Sequence, residues 1–206
     1  MSDYYTAYNH GNYSDGQRYG KTVDAASEPV TAAEAKSQLI IDSGFTADDA
    51  LLDSYIKAAR LTAERYCSIS FVESTYVERV DYFPMNGELI KLSVGQVSEV
   101  VSITYIDTDG NSQTWDAANY KLDNTGRQAR VARAYNVSYP TTRDEINAVT
   151  ITYKSGFGSS ASDVPQDIKQ AILLIVAEMY QNREDRVKQL PTASQYLLQG
   201  YMVNPL

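Results

Sequence analysis

VPQDIKQAILLIVAEMYQNRED, Val164–Asp185, holds seven consecutive apolar residues, Ala171–Ala177, between charged ends. Ser162 or Asp163 before Pro165 reads as a helix start, because a short polar side chain caps the first amides and proline needs no donor there. The helix is predicted to run to Asn182–Asp185. Ile168, Ile172, Ile175 and Met179 share one face, enough for a core stripe. Leu173, Leu174, Val176 and Tyr180 cover much of the remainder, and a helix apolar all round is buried on more than one side. Two arrangements meet that need: a central helix wrapped by its own chain, or one face on the core and another on a neighbouring subunit. The second is the preferred reading for a chain of 206 residues. It makes Leu173, Leu174, Val176 and Tyr180 the expected subunit-interface residues.

Working outward, the apolar run is far shorter than the roughly 20 residues that span a bilayer, so no membrane is expected. MSDYYTAYNH has neither the basic start nor the apolar run of a secretory leader. The single cysteine, Cys67, allows no internal disulfide and points to synthesis in a reducing cytosol. A formal charge of −8 and a pI near 4.7 argue against a chain that grips nucleic acid, which takes clustered Lys and Arg.

Residues 1–29 read as an N-terminal arm, rich in Gly, Asn, Ser and Asp and without helical or strand period. Solvated tails are poor in aromatics, so Tyr4, Tyr5, Tyr8, Tyr13 and Tyr19 mark this arm for docking on a partner. The core, 30–185, opens with Thr31-Ala32-Ala33-Glu34, a capping box for a helix over 31–39. Gly44 breaks the chain. Thr46-Ala47-Asp48-Asp49 then starts a helix over 47–67, in which Leu52, Tyr55, Ala59 and Tyr66 recur at helical spacing. From 69 to 154 the period shortens to two in FVESTYVERV, ELIKLSV, VVSITYI and AVTITYK, which predicts an antiparallel sheet of short strands. Asp109-Gly110 marks a hairpin. GFGSSASDVP reads as a flexible link before the helix over 164–184. Residues 186–206 form a second arm, broken at Pro191, Gly200 and Pro205. The fold class is therefore α+β: N-terminal helices, a central antiparallel sheet, a long C-terminal helix and two extended arms.

Chemistry finds little purchase. His10, the only histidine, lies in the arm, which leaves no Ser–His or Cys–His pair in the core. Cys67 follows a helix whose dipole opposes a thiolate, so it reads as a small buried hydrophobe. Asp107, Asp109 and Asn111 imitate the opening of a calcium loop, but Ser112 and Ala118 stand where glycine and glutamate are required. SGFGSS lacks the Gly-Lys-Ser/Thr ending of a phosphate loop and reads as a hinge. No carboxylate pair stands out. The expectation is no catalysis, no metal and no cofactor.

The order of pieces resembles the head–tail connector (adaptor) proteins of tailed bacteriophages. VTAAEAKSQLIID matches the phrase T-x-x-E-A-K-x-x-L-x-I-D at Thr31, Glu34, Ala35, Lys36, Leu39, Ile41 and Asp42. DDALLDSYIKAARLTAERYCS matches D-x-L-L-x-x-x-I-x-A-A-R-x-x-x-E at Asp49, Leu51, Leu52, Ile56, Ala58, Ala59, Arg60 and Glu64. VSITYIDTDGNSQTW and NYKLD are similar to the family's middle. AVTITYKSGFG with DVPQDIKQAILLIVAEMYQNRE, finishing Tyr180-x-Asn182-Arg183-Glu184, is similar to its end. YLLQGYMV departs from it, with Gly200-Tyr201-Met202 where proline-tyrosine-arginine is usual. The likeness spans roughly 30–203 and leaves the tyrosine-rich arm outside.

What the resemblance implies is assembly. Such proteins join the portal of the DNA-filled head as a ring of about twelve copies through a head-to-tail interface. The ring extends the DNA channel and receives the next tail or stopper protein. Their C-terminal segments engage the portal, which points to Tyr196, Leu197, Leu198, Tyr201 and Met202 as docking residues. The expected location is the head–tail junction of the virion, after assembly in the host cytoplasm. An acidic chain suits a conduit, since DNA passes through it without being specifically bound. The competing readings are another virion interaction protein, such as a stopper or tail-completion component, and an enzyme with a carboxylate site.

Overall fold

In chain order the elements are β1 (Arg18–Val23), α1 (Ala32–Leu39), α2 (Asp49–Cys67), β2 (Ser74–Val80), β3 (Ile90–Lys91) and β4 (Val97–Ile106). There follow β5 (Ser112–Trp115), β6 (Tyr120–Asp123), β7 (Arg130–Arg133), β8 (Val149–Ser155), α3 (Gln166–Gln181) and α4 (Thr192–Leu198). The computed structural model describes residues 18–85, 87–183 and 190–203. The fold is α+β, and the chain divides into two units. A strand unit contains β1 and residues 75–155; a helical unit contains residues 24–74 and 156–202.

The strand unit holds two sheets, ordered β1-β2-β8-β4-β5 and β3-β7-β6. β8 shows why its sequence reads as a strand: Val149, Ile151, Tyr153 and Ser155 are buried while the residues between them are half-buried. Val149, Ile151 and Tyr153 form one apolar core with Phe83, Leu92, Ile103, Trp115 and Val131. The β4–β5 hairpin turns where Asp109-Gly110 predicts. Gly110 has φ +89°, and Asp107 accepts from the amides of Asp109 and Asn111 at 3.0 and 2.8 Å and from Gln113 Nε2 at 2.8 Å. Those bonds hold the Asp107 carboxyl below its usual range, Gln113 foremost. The carboxylate serves the turn, in keeping with the hairpin reading.

One carboxylate lies inside this unit. Glu78 is fully buried and accepts from the Ser93 amide at 3.0 Å, the Ser93 hydroxyl at 2.9 Å and the Tyr153 hydroxyl at 3.0 Å. Burial raises its pKa against the pull of those donors. The bonds pin the segment after β3 to the sheet, and the Ser155 hydroxyl adds a bond to Gly95 O at 2.6 Å.

Part of the expected N-terminal arm is structured. β1 pairs antiparallel with β2, from Arg18 opposite Arg79 to Val23 opposite Thr75. All but one of its residues are exposed. A strand held by its ladder rather than by burial shows no apolar alternation, so periodicity does not reveal it.

In the helical unit, the Thr31 hydroxyl accepts from the Glu34 amide at 3.2 Å and Glu34 Oε2 accepts from the Thr31 amide at 2.7 Å, the capping box read from sequence. Lys36 Nζ lies 2.5 Å from Asp49, joining α1 to the first turn of α2. α3 packs against α1, α2 and α4. The stretch read as a link begins on backbone hydrogen bonds within the helical unit. The Glu73 amide donates to Gly158 O at 2.8 Å and the Phe157 amide to Phe71 O at 3.1 Å. At Gly156, φ +148°, a Cβ would lie 2.5 Å from the Glu73 nitrogen. Glycine is there for close approach of two backbones. Ser160 and Asp163 cap a 3-10 turn, Ala161–Asp163, rather than α3 itself.

Candidate interaction surfaces

α3 carries its core stripe as expected, with Ile168, Ile172 and Ile175 buried. Leu173 and Val176, expected on an outward face, are also buried, at 8% and 1% exposure. α3 is covered by α1 and α2 and also by the C-terminal segment, read as an arm. Residues 192–198 form α4 and fold back on α3, where the Ser194 hydroxyl donates to Ala171 O at 3.2 Å. Of the four assigned residues, Leu174 and Tyr180 remain half-buried.

Tyr180 is already engaged. Its hydroxyl donates to Asp48 Oδ2 at 2.5 Å, and Arg183 Nη2 donates to the same oxygen at 2.8 Å. The Arg183 guanidinium also lies over the Tyr180 ring, 4.5 Å from its centroid. The tyrosine and arginine bonds lower the Asp48 pKa. The same bond to Asp48 raises that of Tyr180. The Tyr180-x-Asn182-Arg183 finish thus fastens the end of α3 to the start of α2. Glu184, the last residue of that phrase, lies outside the described residues.

The C-terminal docking residues divide in a similar way. Leu198 is fully buried, with Cys67 Sγ 3.8 Å from its carbonyl oxygen. The Cys67 thiol is pushed up to about 12 by burial, as suits an inert hydrophobe. The Tyr201 hydroxyl donates to both Asp167 oxygens, at 2.8 and 2.7 Å, and its ring meets Phe157 edge-on. Burial and then Asp167 push this phenol up to about 12. Leu197 and Met202 are half-buried, and Tyr196 is 80% exposed. Tyr196 is therefore the largest outward group of the five. Tyr4, Tyr5, Tyr8 and Tyr13 lie outside the described residues, while Tyr19 sits on β1, 42% exposed and opposite Glu78.

Arg60 is the residue whose place sequence reading misses. A charged residue on a helix is expected to face solvent, yet Arg60 is fully buried. Its Nε donates to Glu28 Oε2 at 2.7 Å and its Nη2 to Glu28 Oε1 at 3.2 Å. Nη1 and Nη2 each reach an Asp24 oxygen at 3.1 Å, and Nη1 reaches Glu64 Oε2 at 3.1 Å. Glu64 Oε1 accepts from the Phe71 amide at 3.0 Å. Burial works against the Arg60 charge, but bonds to Glu28 and Asp24 and the Glu64 charge outweigh it and raise the pKa. This node ties the segment before α1 to α2. The sequence signals it through the i,i+4 spacing of Arg60 and Glu64, both of which fall in the phrase matched above.

Among the described residues no group of His, Cys, Asp and Glu is arranged to hold a metal, and no helix is long and apolar enough to cross a membrane.

Solved structures share the fold, among them three chains of virus-like particles. A chain from the virion of a native gene transfer agent (GTA) particle matches with TM-score 0.75 at 23% identity, over 89% of this chain and 94% of its own. One from the neck of an empty GTA particle, computed with C6 symmetry, matches with TM-score 0.76 at 23% identity, over 90% and 95%. One from the neck of a native GTA particle, computed with C12 symmetry, matches with TM-score 0.72 at 21% identity, over 90% and 94%. No individually curated protein matches the chain. The model of one family, described as head completion protein, matches residues 30–198, from the residue before the capping box to the end of α4. The chain belongs to the head completion protein family.

Proposed function

We propose that this head completion protein is a head-to-tail adaptor: its copies form a ring beneath the portal, extend the DNA channel and receive the next tail or stopper protein. The observation that carries the reading is the shared fold, over nine-tenths of the chain, with proteins of particle necks computed with C6 and C12 symmetry. The charge of −8 supports it, because a weakly retentive lining lets DNA slide. A structural role at the head–tail junction of the virion, without catalysis, agrees with the family. Assembly takes place in the host cytoplasm, and neither a cofactor nor a membrane enters into it.

The partner surfaces follow from what the fold leaves outward. Tyr196, with the half-buried Leu197 and Met202, docks on the portal. Leu174 is the part of α3 available to a neighbouring copy. The tyrosines of the N-terminal segment, Tyr4 to Tyr19, engage a second partner, where aromatic groups give large contact area at low entropic cost.

Native mass spectrometry of the protein alone and mixed with its portal tests the reading. One copy bound per portal subunit is the expected result. A protein indifferent to portal that captures a tail protein instead is a stopper or tail-completion component, and the adaptor reading falls.

A further inference from the structure

The five-stranded sheet has a second face, turned away from the core. On β8, β4 and β5 that face is lined by hydroxyls: Thr150 stands opposite Thr104 and Thr104 opposite Thr114, with Thr152 opposite Ser102 beside them. These residues alternate along their strands with Val149, Ile151, Ile103 and Trp115, which fill the core. Among the described residues none of the five hydroxyls has a hydrogen-bond partner.

On β1 and β2 the same face is charged. Arg18 stands directly opposite Arg79, and both are exposed. Gly20, opposite Val77, leaves the surface beside them open. Neither guanidinium has an ion-pair or hydrogen-bond partner among the described residues. The carboxylates close to Arg79 in sequence are engaged elsewhere: Glu78 is buried in the core, and Asp81 accepts from the Asn147 amide at 2.7 Å. Further along β8, Lys154 pairs with Glu99 at 3.4 Å. Arg18, Arg79 and Lys154 thus meet a single carboxylate, Glu99, on this face, in a chain with 18 basic and 26 acidic residues. Like charges opposed across a ladder cost stability, so an anion seated on Arg18 and Arg79 is favoured.

We propose that this face lines the path of DNA: Arg18 and Arg79 meet its phosphates, and the threonine row offers neutral hydrogen-bonding groups beside them. The proposal rests on the conduit reading above. Guanidinium and hydroxyl groups contact phosphates without reading bases. A protein partner fits the face less well, because aromatic anchors carry such contacts and none stands here. Tyr76, Tyr105, Trp115 and Tyr153 turn to the core, and Tyr19 shares the side of Glu78. Two free cations on each copy of a chain of charge −8 give an attraction that salt screens readily, so DNA is guided without being held.

Fluorescence anisotropy of a labelled duplex of about 20 base pairs, titrated with the full-length protein, tests the face. From about 20 to about 100 mM salt the affinity is expected to fall about 20-fold, the slope of about two neutralised phosphates. Arg18→Gln/Arg79→Gln is expected to keep its thermal melt and flatten that slope, while Arg127→Gln, at an exposed position of the β6–β7 turn, leaves it unchanged. No binding by the wild type, an equal slope in the double variant, or a slope lost in Arg127→Gln overturns the proposal. A double variant that keeps the slope but no longer joins portal makes the partner an acidic protein, which overturns it too. Native mass spectrometry of the wild type with portal separates this face from the adaptor reading. A ring that assembles while the double variant binds DNA as before leaves that reading standing without this lining. Absence of the ring removes the reading, and the lining with it.

Discussion

Tyr180, near the end of α3, donates its hydroxyl to Asp48, the residue before α2, across 132 positions of sequence at 2.5 Å. Arg183 shares the same carboxylate oxygen, so the two helix ends are fastened through one acid. Because Asp48 titrates below the usual carboxylate range when folded, its contribution is fully present above the unfolded value and is lost as pH falls through the folded one. Asp48→Asn is therefore expected to lower the melting temperature at neutral pH and to flatten the acid limb of the stability profile. Thermal melts between about pH 2 and pH 7 check this; an unchanged acid limb would show that the contact contributes nothing.

Arg60→Met should destabilise the helical unit by about 3 kcal/mol, since it strands Glu64 in the interior without its cation. The figure is at the low end because Asp24 and Glu28 are 39% and 31% exposed and solvent screens them. Arg60→Lys should recover only part of the loss, as an ammonium cannot fork to Glu28 and Asp24 together. Urea denaturation of both variants gives the comparison.

Ile40→Gly should stabilise the chain by at most about 1 kcal/mol, relief of the left-handed strain being offset in part by the freer unfolded state. Thermal melts of this variant beside the wild type check the sign and size of the change.

On the C-terminal segment, Leu198→Ala and Tyr196→Ala should separate stability from binding. Leu198 is fully buried, so its truncation is expected to cost about 2–5 kcal/mol. Tyr196→Ala, at an exposed site, should change stability by no more than about 0.5 kcal/mol and reduce portal capture. Deleting residues 191–206 removes both effects at once and is the less informative experiment.

On α3, Val176→Asp is expected to prevent folding, because an unpaired carboxylate has no place among buried apolar groups. Leu174→Asp should fold and lose subunit contacts. Circular dichroism and native mass spectrometry together distinguish these outcomes, and a folded Leu174→Asp variant with an intact ring would take α3 out of the interface.

Much of the secondary structure was legible because its causes are local. The Thr31–Glu34 box, the turn at Asp109-Gly110 and the alternation of Val149, Ile151 and Tyr153 each act over a few residues, and each appears where the sequence puts it. The sequence also shows that α3 must be covered on more than one side. What covers it was decided only in the tertiary structure. α4 returns to bury Leu198, and Cys67 meets a carbonyl 131 positions away. Arg60 gathers carboxylates 32 and 36 positions before it, and Gly156 is chosen by a backbone that passes 83 positions earlier. β1 is invisible to periodicity because all but one of its residues are exposed and no buried face alternates along it. Hydrophobic burial has no direction: an apolar face records that it must be covered, and only packing selects the group that covers it.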